Sequence, residues 1–291
     1  MANFREYSVK LGAMSGMRRV TSTMKMVAAS HLHRAQTELR LPEPFSQQLR
    51  LLSRLARMDR FKGHRLCRPP AGMNPRILLL AMSSDRGLCG SFNNMIVREI
   101  RQWLHGQTRT RLAQVEAVYA GHKGYTALWR EIPPCMKALD LTAHPHIKET
   151  EPISDFALNG FLEGRYDEVW VASNRFVNTM THEPMVKRIL PYDPWKVKNP
   201  PTENGGDEEI LEPLDDRLLE AVVRQWVHYC VYVAQLNRAA SEQASRVMAM
   251  ENATINLRRM EKDLILLRNR ARQAAITSEL TEIVSGAESL G

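Results

Sequence analysis

The chain has 291 residues, 44% apolar and 25% charged, with a net charge of +8. These proportions describe a folded, water-soluble protein of one or two domains, and the positive sign predicts an acidic partner, which could be nucleic acid, a lipid surface or a protein. No run of eighteen apolar residues exists, and the start MANFREYSVKLGAM has no apolar signal core and carries Glu6, unlike most transit peptides, so no membrane crossing or insertion is expected.

From residue 1 to about 58 the only glycines and prolines are Gly12, Gly16, Pro42 and Pro44. Met17, Val20, Met24 and Val27 alternate by three and four, which predicts a helical stripe. The two prolines should bend or locally interrupt this helix, since the pattern resumes at Leu49, Leu52 and Ala56. RPPAGMNP (68–75) then breaks all periodicity. RILLLAMSS, apolar and bounded by breakers, reads as a buried strand.

Between 76 and about 192, strand-like RILLLAMS, VEAVYAG and DEVWVAS alternate with helix-like 93–105, 123–131 and 153–163, the pattern of an α/β unit with a mainly parallel sheet. Residues 193–213, DPWKVKNPPTENGGDEEILEP, read as a linker or exposed loop, in which the acids Asp207, Glu208 and Glu209 are solvated. From Leu214 to about Ser285 there is neither proline nor glycine, and Leu257, Met260, Leu264, Leu267, Ala271 and Ala274 keep a heptad alternation. That predicts one helix of roughly 105 Å, whose natural partner is the N-terminal helix running antiparallel. Its basic start fades into the apolar RQAAITSELTEIVSGAESLG, a tip that needs something to rest against.

Chemistry is sparse. The turn from Ser83 to Gly90 joins a strand to a helix, where α/β proteins often hold phosphates, but it matches neither GxGxxG nor GxxxxGK[ST], and GHKGY (121–125) fails the same spacing. Cys89 with His105 or His122 as base has no sequence support and reads better as a small buried thiol. Cys67, Cys89, Cys135 and Cys230 form no CxxC and no ligand cluster, so free thiols are expected, with no metal and no cofactor. Ser83 and Ser84 are not in GxSxG. The basic excess lies on the arms: residues 1–55 hold nine Lys or Arg against three Glu. Few aromatics are interleaved with them, which weakens a nucleic-acid grip. A basic coiled coil that binds nucleic acid and a small hydrolase on helical arms stay open on these grounds.

Five blocks settle the comparison: TSTMKMVAASHLHRAQ (21–36), SSDRGLCGSFN (83–93), SNRFVNTM (173–180), ASEQASRVMAMENAT (240–254) and RQAAITSELTEIVSGA (272–287). Together, in order and across nearly the whole chain, they resemble the gamma subunit of F-type ATP synthases. The resemblance implies shaft helices over 1–58 and 214–287, a small Rossmann-like α/β foot domain over 75–192 and a linker over 193–213. Paired as a long antiparallel coiled coil, the helices would form the central rotor shaft, one copy per complex and without a catalytic site of its own. The implied partners are the alpha3-beta3 hexamer, the epsilon subunit and the membrane c-ring, with no nucleic acid. The implied place is the cytoplasmic face of the bacterial inner membrane, the mitochondrial matrix side being the alternative.

Residue by residue, the resemblance implies that Arg272, Gln273 and Thr277 contact the beta catch loop. Met24, Lys25, Arg246, Arg86 and Cys89 would approach the acidic beta lever, and Glu212 would meet the membrane ring. The chain departs from the family where Ala253 and Thr254 run into Ile255 and Asn256 instead of the usual Asp-Asn pair. It has no cysteine between Cys135 and Cys230, so the thiol switch of chloroplast members is not expected.

Overall fold

The computed structural model describes residues 4–39, 51–61, 63–68, 74–138, 142–193 and 215–288. Helix α1 spans Phe4–Leu39, a helical stretch α2 covers 51–57, and a 3-10 turn follows at Asp59–Phe61. Strand β1 (Arg76–Met82) leads to α3 (Phe92–Arg111), β2 (Gln114–Ala120), α4 (His122–Leu128) and β3 (Pro134–Ala138). After α5 (Ile147–Leu162) come β4 (Glu168–Phe176), β5 (His182–Leu190) and the 73-residue α6 (Asp216–Glu288). Pro42, Pro44 and most of the expected linker lie outside the described residues.

The sheet has the order β3-β2-β1-β4-β5, parallel except for β5, which pairs antiparallel with β4. β1 is central because RILLLAM is apolar on both faces. Leu78, Leu80 and Met82 join a core with α2, α5 and the first turns of α6, while Leu79 and Ala81 pack with α3 and α4 on the other side. Two strands were not legible: β3 is short and Pro-led, and β5 alternates too weakly to stand out. Helix α5 begins at Ile147, earlier than Ile153, because Pro152 is accommodated inside it.

The chain divides into two compact units, residues 29–245 and residues 1–28 with 246–291. In the larger, α1 packs Leu32 and Ala35 against Ala240 and Ala244 of α6. In the smaller, α1 and α6 run antiparallel, since Arg18, Thr21 and Lys25 meet Glu261, Thr254 and Glu251 in turn.

Candidate functional site

In the smaller unit one series of less exposed positions runs along α1 through Leu11, Met14, Arg18, Thr21, Lys25 and Ala28, and another along α6 through Met250, Thr254, Leu257, Glu261, Leu264, Arg268 and Ala271. Both sets alternate by three and four, the spacing that keeps one face of a helix toward a neighbour. On α6 three of these, Leu257, Leu264 and Ala271, belong to the heptad seam read in the sequence, whereas on α1 the set lies one residue on from the stripe Met17, Val20, Met24 and Val27, of which Met24 alone is half-buried. Met17, Val20 and Val27 are 50%, 58% and 52% exposed, and Met260 and Leu267 also face outward. The inward face mixes apolar Leu11, Met14, Leu257 and Leu264 with polar pairs. Arg18 Nε donates to Glu261 at 3.2 Å, the Thr21 and Thr254 hydroxyls are 2.9 Å apart, and Lys25 is ion-paired with Glu251. Hydrogen-bonded pairs satisfy these groups where an apolar seam was expected.

Of the expected contact residues, Met24 and Arg246 are half-buried, and Lys25 is engaged with Glu251. Arg272, Gln273 and Thr277 lie on an uninterrupted exposed stretch, 272–287, with Thr277 donating only to the Gln273 carbonyl one turn back, at 2.9 Å. Ile276, Leu280, Ile283 and Val284 share that stretch, with Ile283 67% exposed. Glu212 lies outside the described residues.

In the larger unit, residues 83–93 form a turn held by its own polar groups. Ser83 Oγ accepts from the Gly124 amide at 2.9 Å, and the Ser84 amide donates to Asn93 Oδ1 at 3.1 Å. Asn93 Nδ2 donates to Ser84 Oγ at 2.8 Å and to Cys89 Sγ at 3.2 Å. The amides of His122 and Lys123, which open α4, donate to Asp85 Oδ1 and the Ser84 carbonyl. The amides of Ser84, His122, Lys123 and Gly124 are therefore already paired within the protein. Cys89 is 2% exposed, a packing position inside the turn, while Arg86 on the same turn is exposed.

Sequence reasoning missed Leu88. It takes a left-handed φ of 62°, which turns its side chain out to 62% exposure beside Arg86. A single Leu between Gly87 and Cys89 carries no periodic signal, so only the backbone reveals it.

Burial pushes the Cys67 thiol up to about 11 and the Cys230 thiol up to about 12, and Cys135 is raised for the same reason. Among the described residues, no three His, Cys, Asp or Glu converge as a metal centre would require, and no helix is long and apolar enough to cross a membrane.

A family model described as ATP synthase matches residues 3–290. The ATP synthase gamma chain of Xanthomonas campestris is 33% identical over 294 residues, covering 99% of each chain. That of Roseiflexus sp. is 34% identical, covering all of this chain and 99% of the relative. Among solved structures, the central stalk/c-ring of the Tetrahymena thermophila mitochondrial ATP synthase contains a similar chain, with a TM-score of 0.59, 27% identity, and 80% of this chain and 99% of that one covered. A chain in the Euglena gracilis mitochondrial ATP synthase shares the fold with a TM-score of 0.67 at 17% identity, covering 99% of this chain and 94% of that one. Mixed α/β core, long terminal helices and these matches define the class as a subunit of an ATP synthase. The chain belongs to the ATP synthase gamma chain family.

Proposed function

We propose that this gamma chain is a rotor shaft that couples ion-driven rotation of a membrane c-ring to ATP synthesis or hydrolysis in the beta subunits of an alpha3-beta3 hexamer. The chain itself carries no catalytic site. In this reading the two terminal helices form an antiparallel coiled coil over 1–58 and 214–287, the Rossmann-like domain over 75–192 forms the foot, and 193–213 links them. The epsilon subunit joins at the foot, one copy of the chain serves each complex, and the assembly sits on the cytoplasmic face of a bacterial inner membrane.

The observation that carries this reading is the exposed tip. Over residues 272–287 every side chain is exposed, including Ile276, Leu280, Ile283 and Val284. An apolar helix end left in water is unfavourable, and an enclosing protein sleeve removes that penalty. Arg272, Gln273 and Thr277 sit at the base of this stretch, where polar groups would meet a catch loop. Lys25 would face an acidic lever in competition with Glu251, so that contact requires an exchange of ion-pair partners. Arg86 and Leu88 present a charged and an apolar group from a turn that Cys89 and Asn93 brace from within. Each shaft angle would then favour a different nucleotide state in each beta subunit, and the coupling is reciprocal.

The test is ATP hydrolysis by the matching alpha and beta subunits with and without this chain, with a bead attached at Arg109→Cys, an exposed position on α3. Chain-dependent steady hydrolysis with three-step rotation is expected. Failure of the chain to join the hexamer, or hydrolysis by the chain alone, overturns the reading.

A further inference from the structure

Within the larger unit, α6 crosses the outer face of β4 and β5 and leaves a half-open slot of about 200 Å³. Alternate residues of each strand point the same way, so Val171 on β4 and Ile189 on β5 share its floor, while Trp226 and Ala234 close it from α6. All four are at most 6% exposed. An enclosed apolar cavity of roughly 150 Å³ already admits an apolar guest, and this slot is of similar size but open to solvent on one side.

The mouth differs in character from the floor. Arg175 is already paired with Glu183 at 2.7 Å, and Asn237 is spent on the Phe176 amide and the Val233 carbonyl. Lys187, exposed at the same mouth, makes no ion pair among the described residues. An apolar floor with one uncommitted ammonium at its rim is the arrangement that takes a tail inward and leaves a charged head partly in water.

We propose that this slot binds a single-tailed anionic amphiphile, its tail on Val171, Ile189 and Trp226 and its head at Lys187. A polypeptide strand is a poorer occupant: β5 is the edge strand, and Pro184 within it has no N–H to offer an added strand. The proposal is independent of the rotor reading.

The experiment titrates the full chain, at low salt and below micelle-forming concentrations, with decanoate, decanol and decyltrimethylammonium. Binding is followed by tryptophan fluorescence, with Trp226→Phe as the signal control, and by equilibrium dialysis. Saturable decanoate binding is expected, tighter than that of the cationic analogue by about two- to fivefold, the range a rim charge supplies. Lys187→Glu, a surface change, should abolish or invert that preference while decanol binding persists. Val233→Trp, on the α6 wall of the slot, should weaken all three. Equal affinity for the three heads, undiminished binding in both variants, or no saturable binding at all overturns the proposal.

Discussion

The hydroxyls of Thr21 and Thr254 lie 2.9 Å apart between two antiparallel helices, and Thr254 also donates to the Met250 carbonyl at 2.8 Å. Thr21 likewise lies 3.0 Å from the Arg18 carbonyl, and each hydroxyl has one proton, so one of the two donates across the pair while the other donates to its own helix backbone. Thr254→Val removes one partner of this pair and should destabilise the pairing by about 1 kcal/mol. Thr21→Val with Thr254→Val should recover most of that loss, because both polar groups leave together. Urea denaturation of the single and double variants measures the difference.

Arg272 and Gln273 are exposed and sit in a helix that alanine favours. Replacing both with Ala should leave the helix content of the isolated chain unchanged by circular dichroism, yet weaken assembly with alpha and beta subunits or lower coupled turnover. Unchanged assembly and turnover would remove these residues from the proposed contact.

Glu168 is fully buried at the start of β4, bonded by Arg111 at 2.9 and 3.0 Å and by the Trp170 indole at 2.8 Å, with Arg188 also in reach. Burial alone would raise its pKa, but the hydrogen bonds of Arg111 and Trp170, with the charges of Arg111 and Arg188, outweigh burial and hold it below its ordinary value of 4.5. A depressed carboxylate stabilises the fold fully above its unfolded value and loses that contribution as pH falls through the folded one. The loss should therefore begin below about pH 4.5 and continue downward. Glu168→Gln leaves Arg111 without its carboxylate, while Arg188 keeps Asp193, and should destabilise the protein by about 3 kcal/mol at neutral pH, with a flatter acid limb in thermal melts.

Gly121 holds φ at 112° where β2 meets α4, and a methyl group there would lie 2.4 Å from the Ser83 carbonyl oxygen. Gly121→Ala should cost about 3 kcal/mol, from backbone strain and the displaced turn together. A melting point unchanged within a degree would contradict the tight approach.

The α/β unit was legible because RILLLAM and its neighbours are apolar runs between breakers, and water is the solvent those patterns assume. The shaft face of α1 was misread by one position for the same reason, and that of α6 in part, since Leu257, Leu264 and Ala271 of the expected seam do face inward. Met17, Val20 and Met260 look like a core stripe, yet they point outward, and Arg18, Thr21, Lys25 and Glu261 fill the inward positions. Apolar periodicity marks a face that avoids water without naming the neighbour that shields it. In the proposed sleeve the shield is another protein, so the rule that places apolar residues against the paired helix fails. Leu88 and the brace from Asn93 to Cys89 were illegible because they depend on one left-handed residue and on contacts across the turn, neither of which has a period.

The depth of the thiols has a practical side. At neutral pH a thiol pushed to about 11 is ionised in roughly one molecule in ten thousand, and only the thiolate reacts with maleimides or oxidants. Cys89 is sealed inside its turn, and Cys230 is raised further than Cys67. Cys67, Cys89 and Cys230 are thus slow toward labelling chemistry, so a fluorophore or handle directed at one introduced surface cysteine, with half-buried Cys135 replaced, will report from that point.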